Sequence, residues 1–369
     1  MTSLNFCHSR LGKCILNSLW LALLSGCAHV GLSAIPQTRE GYNQALATSD
    51  NQQFLLNVVR MHFGQTPYFV NVDNMVTQST LSAGTGGSQL TSNPFNFTNT
   101  GPFWTLNPVV SFTQSPTITY SPLQGTQFVS SMLTPIRLDK LSLLLQSGWS
   151  TALVMKLMVE QVGELSNGTT ALHPLSTLTP HQQEFNTFVD VLDRLDLEDK
   201  IDYGATMYRG HNAVVANIAD TQAAAELSKT LHLSKPYRQL IFSRAITAVE
   251  STPENVIYVQ TRSFFSMLNF LSNGVASDDQ MNIKYGIKAM HAGNMKLPEI
   301  ALTKGLFLVS ESNKEPDNAA AKIDFDGKWY YIANNDLASK ATLVLLRITY
   351  SLQTGDLKAN LPLITIPVK

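Results

Sequence analysis

Charge is scarce in the first part of this chain. Between Gln65 and Ile136 the single charged side chain is Asp73. Residues 27–180 hold 11 charged side chains, whereas residues 181–369 hold 40. A solvated surface is normally rich in charge, so the uncharged stretch is expected to be buried, membrane-facing or covered by partners. Cysteine is scarce too. The chain has three, Cys7, Cys14 and Cys27. Beyond Cys27 this excludes a disulfide, a thiol nucleophile and a Cys-based metal site. No run of about 18 apolar residues occurs, which argues against a membrane-spanning helix. The motifs G-x-S-x-G, G-x-G-x-x-G, Walker A and H-E-x-x-H are all missing, so no familiar catalytic framework is present and a non-enzymatic role is expected. No cofactor is expected either.

What is present begins with an N-terminal address. Arg10 and Lys13 precede an apolar run from Ile15 to Leu24, and Leu24-Ser25-Gly26-Cys27 closes it. This is the order of a secretory signal, and the Cys after Leu-Ser-Gly resembles the lipobox of bacterial lipoproteins. Cleavage is then expected between Gly26 and Cys27, with a covalent lipid on the Cys27 thiol. At roughly 0.8 kcal/mol per buried CH₂, two or three acyl chains make a permanent anchor. Ala28, rather than Asp, follows the lipidated position, which favours the outer membrane. The expected partners are therefore outer-membrane lipid, through Cys27, and other envelope proteins or further copies of the chain. Without residues 1–26 the chain has 24 basic and 27 acidic side chains, net −3. That bias is too weak to imply nucleic acid.

The pattern of residues predicts an α+β fold, with helices and mainly antiparallel sheet. The expected divisions are a signal peptide over 1–26, a lipidated tether over 27–37, a charge-poor region over 38–198 and a charge-rich region over 199–369. Thr38–Leu46 reads as a short helix. A second is expected from the Ser49 N-cap, with Gln52 as its capping-box partner, to Arg60 and His62. Tyr68–Val72 continues as a strand. Leu81–Pro116, rich in Gly, Ser, Thr and Asn, carries Phe95, Phe97, Phe103, Trp104 and Phe112. Its aromatics argue against disorder and for a long uncharged hairpin or ordered loop. Helices are expected over 124–133 and 138–146, and a buried helix, with a strand as the alternative, over 149–162. Gln182–Leu195 should be an amphipathic helix through Phe185, Phe188, Val189 and Leu192. Strands are expected at 214–218, 240–242, 256–259 and 306–309, with helices over 221–231 and 263–271. Asp326-Gly327 is a two-residue hairpin turn that places Ile323 opposite Tyr330 and Asp324 opposite Trp329. Asp336 caps a final helix ended by Gly355.

Chemistry is harder to find. The histidines after Cys27 (His29, His62, His173, His181, His211, His232 and His291) are dispersed, without a pair at helical ligand spacing. One of them could still fold beside Ser and Asp, since triads are recognised by geometry. Asp324-Phe325-Asp326-Gly327 hints at a calcium loop but lacks its later ligands, and the turn explains it better. Arg60 with His62 could hold an anion, although a helix C-terminus accounts for both. Trp329 and Tyr331 share a hairpin face with Lys322 and Asp324; this face could stack on sugars or a partner, or be buried under the last helix. Membrane insertion of the uncharged stretch requires clean alternation. Met75–Leu81 alternates poorly and Pro116 interrupts Val109–Tyr120, so a partner-covered β region is preferred. Phe95, Phe97, Phe103, Trp104 and Phe112 are its candidate partner surface.

Several phrases resemble a family of uncharacterised Gram-negative outer-membrane lipoproteins. They are Tyr42-Asn43, Gln52-Gln53 with Leu55-Leu56-Asn57-Val58-Val59-Arg60, Pro67-Tyr68-Phe69, Thr119–Gly125, Ser147-Gly148-Trp149 and Pro362–Pro367. A further similarity is to accessory lipoproteins of the outer-membrane complex of type IVB secretion machines. The resemblance carries no catalytic residue. It implies a structural component of a multiprotein envelope complex. The alternative from another class is a hydrolase or ligand-binding lipoprotein acting on cell-wall or lipid material.

Overall fold

The computed structural model describes residues 34–86, 107–168, 180–244, 252–286, 302–355 and 364–367. The chain folds as α+β, with largely antiparallel sheets. It opens on helix α1, Ala34–His62. A single helix stands where the sequence predicts two, because Ala47 and Thr48 between them include neither proline nor glycine to stop it. Ser49 is therefore helix interior and not a cap. Asp50 instead pairs with Arg347 at 2.9 Å, and the helix begins inside the segment read as tether. Gly64, at φ 69°, ends it as expected.

Strands β1 (Phe69–Gly86) and β2 (Asn107–Leu123) follow as one antiparallel ribbon. Then come helices α2 (Thr126–Leu133), α3 (Leu138–Gln146) and α4 (Thr151–Met158), and strands β3 (Val159–Val162) and β4 (Leu165–Ser166). Helix α5 (Pro180–Leu197) buries Phe185, Phe188, Val189 and Leu192, the stripe its spacing predicts. A β5–β6 hairpin (Ile201–Tyr208, His211–Ile218) leads to α6 (Thr221–Thr230), β7 (Gln239–Ser243), β8 (Val256–Thr261), α7 (Phe264–Ser272) and α8 (Asp279–Lys284). Strands β9 (Ser310–Ser312), β10 (Ala319–Phe325) and β11 (Lys328–Ala333) form a small sheet. Helix α9 (Leu337–Thr354) and strand β12 (Ile364–Pro367) close the chain.

Six strands form the central sheet in the order β4-β3-β8-β7-β6-β5, antiparallel except for β7 beside β8. The sheet runs across Asp199, so the change in charge there does not coincide with a break in the sheet. The single helix expected over 149–162 divides instead into α4 and β3, because β-branched Val159 and Val162 suit a buried strand. Strand β5 escaped the sequence reading because Gly204 interrupts its alternation. A Cβ there would lie 3.0 Å from the Val215 side chain on β6, so the close approach of the two strands favours glycine. The expected strand at 306–309 reduces to a bridge of Val309 to Val275, with β9 after it. The β10–β11 turn has Asp326 at φ 57° and Gly327 at φ 79°, and its register pairs Ile323 with Tyr330 and Asp324 with Trp329, as the dipeptide predicts.

Arg262 ties these parts together. It follows β8, is fully buried, and immediately precedes Ser263, the side-chain cap of α7. Its Nη1 donates to the carbonyls of Lys156 (3.1 Å), Leu157 (3.3 Å) and Val159 (2.9 Å), and its Nη2 to that of Asn167 (2.5 Å). The first three belong to the C-terminal turn of α4 and its exit, where carbonyls lack intrahelical partners. The guanidinium lies 3.9 Å from the centroid of the Phe270 ring. Burial pushes its pKa down to about 9, which leaves it protonated at neutral pH. Arg262→Ala should therefore cost about 3–5 kcal/mol, since it strands buried carbonyls. Arg262→Lys should recover only part of that, because a compact ammonium cannot span the set. Denaturant unfolding checks both; an Ala variant within about 1 kcal/mol of wild type would show that water serves these carbonyls equally well.

Candidate functional site

The uncharged stretch becomes the β1–β2 ribbon, and its root is held firmly. Phe69, the first residue of β1, is wholly buried. Its ring lies 4.9 Å from Tyr350, 5.6 Å from Phe54, 5.8 Å from Phe264 and 6.4 Å from Phe128, centroid to centroid. Helices α1, α2, α7 and α9 thus grip the strand as it leaves the body. Side chains of α1 also complete the strand's outer edge. Asn57 Oδ1 accepts the Tyr68 N–H (2.9 Å) and its Nδ2 donates to the Tyr68 carbonyl (2.8 Å). One helical turn earlier, Gln53 Oε1 accepts the Val70 N–H at 2.7 Å. Since Val70 turns its N–H away from β2, its partner Pro122 needs no donor there.

Beyond the root the ribbon runs on from Phe69↔Leu123 to Gly86↔Asn107, about 55–60 Å of backbone. Strand β12 covers β2 only over Thr117–Tyr120, in the sheet order β1-β2-β12. From Thr77↔Pro116 outwards the ribbon has two strands among the described residues. Pro116 does not break β2, contrary to the expectation, because it lies past the reach of β12 on an unpaired stretch of edge. Asn74 is exposed, and Val76 is 56% exposed. The two edges differ. Strand β2 carries Pro108, Pro116 and Pro122, whereas β1 carries no proline and only Asp73 as a charge. Proline and charge are what natural edges use to discourage pairing, and β1 has little of either.

Of the predicted surface, Phe112 stands on β2 opposite Leu81. Phe95, Phe97, Phe103 and Trp104 lie outside the described residues, as do Gly26 and Cys27. The other hairpin presents Ile323, Phe325, Tyr330 and Ile332 inwards against α1, with Phe325 stacked on Phe63 at 5.3 Å. Trp329 and Tyr331 are half-buried beside β9, opposite Ser312 and Ser310. The hairpin therefore packs on α1 rather than under the last helix. Asp326 accepts from the Lys284 ammonium and from the Tyr285 hydroxyl (2.9 Å), and Asp324 accepts the Gly327 N–H (3.3 Å). Both carboxylates are used within the fold. Among the described residues, no group of three or more His, Cys, Asp and Glu could hold a metal, and no helix is long and apolar enough to cross a membrane.

One serine–histidine pair forms that spacing gave no sign of. His62 Nδ1 lies 2.9 Å from the Ser272 carbonyl and its Nε2 3.0 Å from Ser277 Oγ, across more than two hundred residues of chain. The carbonyl fixes the proton on Nδ1, and Nε2 faces the Ser277 hydroxyl, which donates to Asn282 Oδ1 at 2.6 Å. No carboxylate faces Nδ1 to stabilise an imidazolium, and burial lowers the pKa to about 4. A base so weak is poorly matched to taking a serine proton at neutral pH. The pair instead ties the end of α1 to the segment between α7 and α8. Arg60 does not join it; its guanidinium turns to Asn57 at 3.5 Å.

No family model, curated protein or solved structure matches the chain.

The His62 environment has a consequence for stability. Its folded pKa lies below the ordinary value of 6.5, so the unfolded chain binds the extra proton between about pH 6.5 and 4. The contribution is complete above pH 6.5 and is lost as pH falls towards 4, an effect of roughly 2–3 kcal/mol. His62→Gln should flatten the stability profile across that window. Parallel profiles for variant and wild type would mean that His62 titrates normally.

Proposed function

We propose that the protein is an outer-membrane lipoprotein, anchored through acylated Cys27, that acts as a structural or assembly component of a multiprotein envelope complex. The β1–β2 ribbon is its docking arm. A secretion complex is the particular setting that the sequence resemblance suggests. The reading is carried by one observation: a gripped ribbon whose β1 edge, beyond Asp73, has neither the charge nor the proline that prevents strand pairing. An open edge of this kind takes up a partner strand by main-chain hydrogen bonding, with side chains supplying selectivity. Lipid is the poorer cover. The outer part of β1, Thr77-Gln78-Ser79-Thr80-Leu81-Ser82-Ala83-Gly84-Thr85-Gly86, is mostly small and polar and lacks an alternating apolar face.

Two measurements follow. Cys27→Ser should leave an unprocessed precursor without fatty-acid label; equal labelling of variant and wild type would remove the anchor. Cutting the ribbon back to the Gln78↔Ser115 pair and closing it with a short turn should leave the body's melting temperature unchanged, since its gripped root is retained. The lipidated protein should then run near monomer mass in mild detergent, whereas wild type runs in a large assembly. Val76→Lys should act in the same direction by charging the edge. Recovery of the same companions at the same assembly size by all three proteins would overturn the docking role.

A further inference from the structure

We propose that a cleft at the carboxyl end of β7 is a binding site for a phosphate-bearing ligand. The cleft has a volume of about 430 Å³ and is lined by Arg137, Leu138, His211, Asn212, Arg244 and Tyr258. The fold brings these residues together from four places. Arg137 and Leu138 stand at the start of α3, which lies on β5 and β6. His211 and Asn212 open β6. Arg244 directly follows β7, and Tyr258 sits on β8 opposite Ser243, the last residue of β7.

The lining has a single chemical character. Among the described residues, five of the six that line it carry N–H or O–H donors, two of them as guanidiniums, and none is a carboxylate. Asp139, an acid beside the cleft, engages Arg137 through Nε (3.1 Å) and Nη2 (3.0 Å). That bond is made at the surface, where the Arg137 side chain is 62% exposed, and it uses one edge of the fork and not Nη1. Two arginines around a roomy cleft present more donors than the two oxygens of a carboxylate can accept. A tetrahedral oxyanion matches them better, and paired guanidiniums are a recurring solution for phosphate. The volume exceeds a bare ion and falls within the range of small-ligand pockets, so there is room for the group that the phosphate is attached to. Leu138 and the Tyr258 ring give that group an apolar wall. Free phosphate and the headgroup of an anionic phospholipid share this chemistry. The site stands apart from the docking ribbon and does not depend on it.

The test uses the full chain in neutral detergent and isothermal titration at constant ionic strength. One arm takes inorganic phosphate, the other dihexanoyl phosphatidylglycerol below its micellar concentration. At least one probe should bind to wild type. Phosphate alone identifies a free anion as the ligand; the lipid alone, or much more tightly, identifies a headgroup. Either outcome supports the site. Arg137→Gln with Arg244→Gln should weaken the bound probe at least tenfold, about one charge-assisted hydrogen bond's worth. Asp139→Asn should tighten it by releasing the whole Arg137 fork. This last variant keeps the test decisive if the double variant melts early, because a loss of folding cannot raise affinity. Absence of binding by both probes, or an Asp139→Asn affinity equal to or below that of wild type, would overturn the proposal.

Discussion

One buried guanidinium sets the interior of this protein. Arg262 meets four main-chain carbonyls and no side-chain carboxylate among its hydrogen bonds. An arginine without a bonded counter-charge costs desolvation, and here the dipoles of a helix terminus offset it. Its own backbone adds to the joint: the Arg262 N–H donates to the Met158 carbonyl, and its carbonyl accepts from Ile136. The end of β8, the exit of α4 and the start of α3 meet at this point. The aromatic ring of Phe264 follows two residues later, so the joint also places the wall against which Phe54, Phe69 and Tyr350 pack.

From that joint the structure divides into a body and an arm. The body buries a continuous apolar core in which α1, the central sheet and α9 all take part. Charged side chains at its surface pair with each other, as in Arg194 with Glu198 and Glu226, or Lys200 with Glu198. Exposed pairs of this sort contribute little to stability, and their value here is a surface that does not associate. The arm is built on the opposite principle. It has almost no charge, exposes backbone edge, and relies on a root fixed by aromatic packing and by two amides, Gln53 and Asn57, that stand in for a missing strand. A rigid root matters for an arm because any play there is multiplied along its length.

Helix α1 links the two. Its Gln53 and Asn57 hold the ribbon and Phe63, directly after it, stacks on the small hairpin, while His62 reaches the α7–α8 segment and Asp50 the last helix. It is also the first described element after the proposed lipid attachment. A load between the membrane and the ribbon would therefore pass through a helix tied at several points rather than through a loop.

Local pattern alone determined much of this. The apolar stripe of α5, the Asp326-Gly327 turn with its register, the Asp336 cap and the α+β class are all written in residues close together in sequence, where steric and hydrogen-bonding preferences act without help. The uncharged stretch was legible from composition as a long hairpin or an ordered loop, but the length of its two strands was not, because Met75–Leu81 alternates poorly. What the sequence could not decide were events that depend on distant partners. Ser49 looks like a cap until tertiary packing carries the helix through it. Pro116 looks like a strand breaker until the limit of β12 leaves its edge unpaired. Gly204 looks like a loop residue until Val215 arrives above it. The same reason explains the missed pairs: His62 with Ser277, Arg262 with the end of α4, and Arg137 with Arg244 each join segments far apart in the chain. No local rule specifies such meetings. They follow from the order of strands in the sheet and the packing of helices against it, because a buried polar group takes whichever complementary partner the folded chain brings within reach.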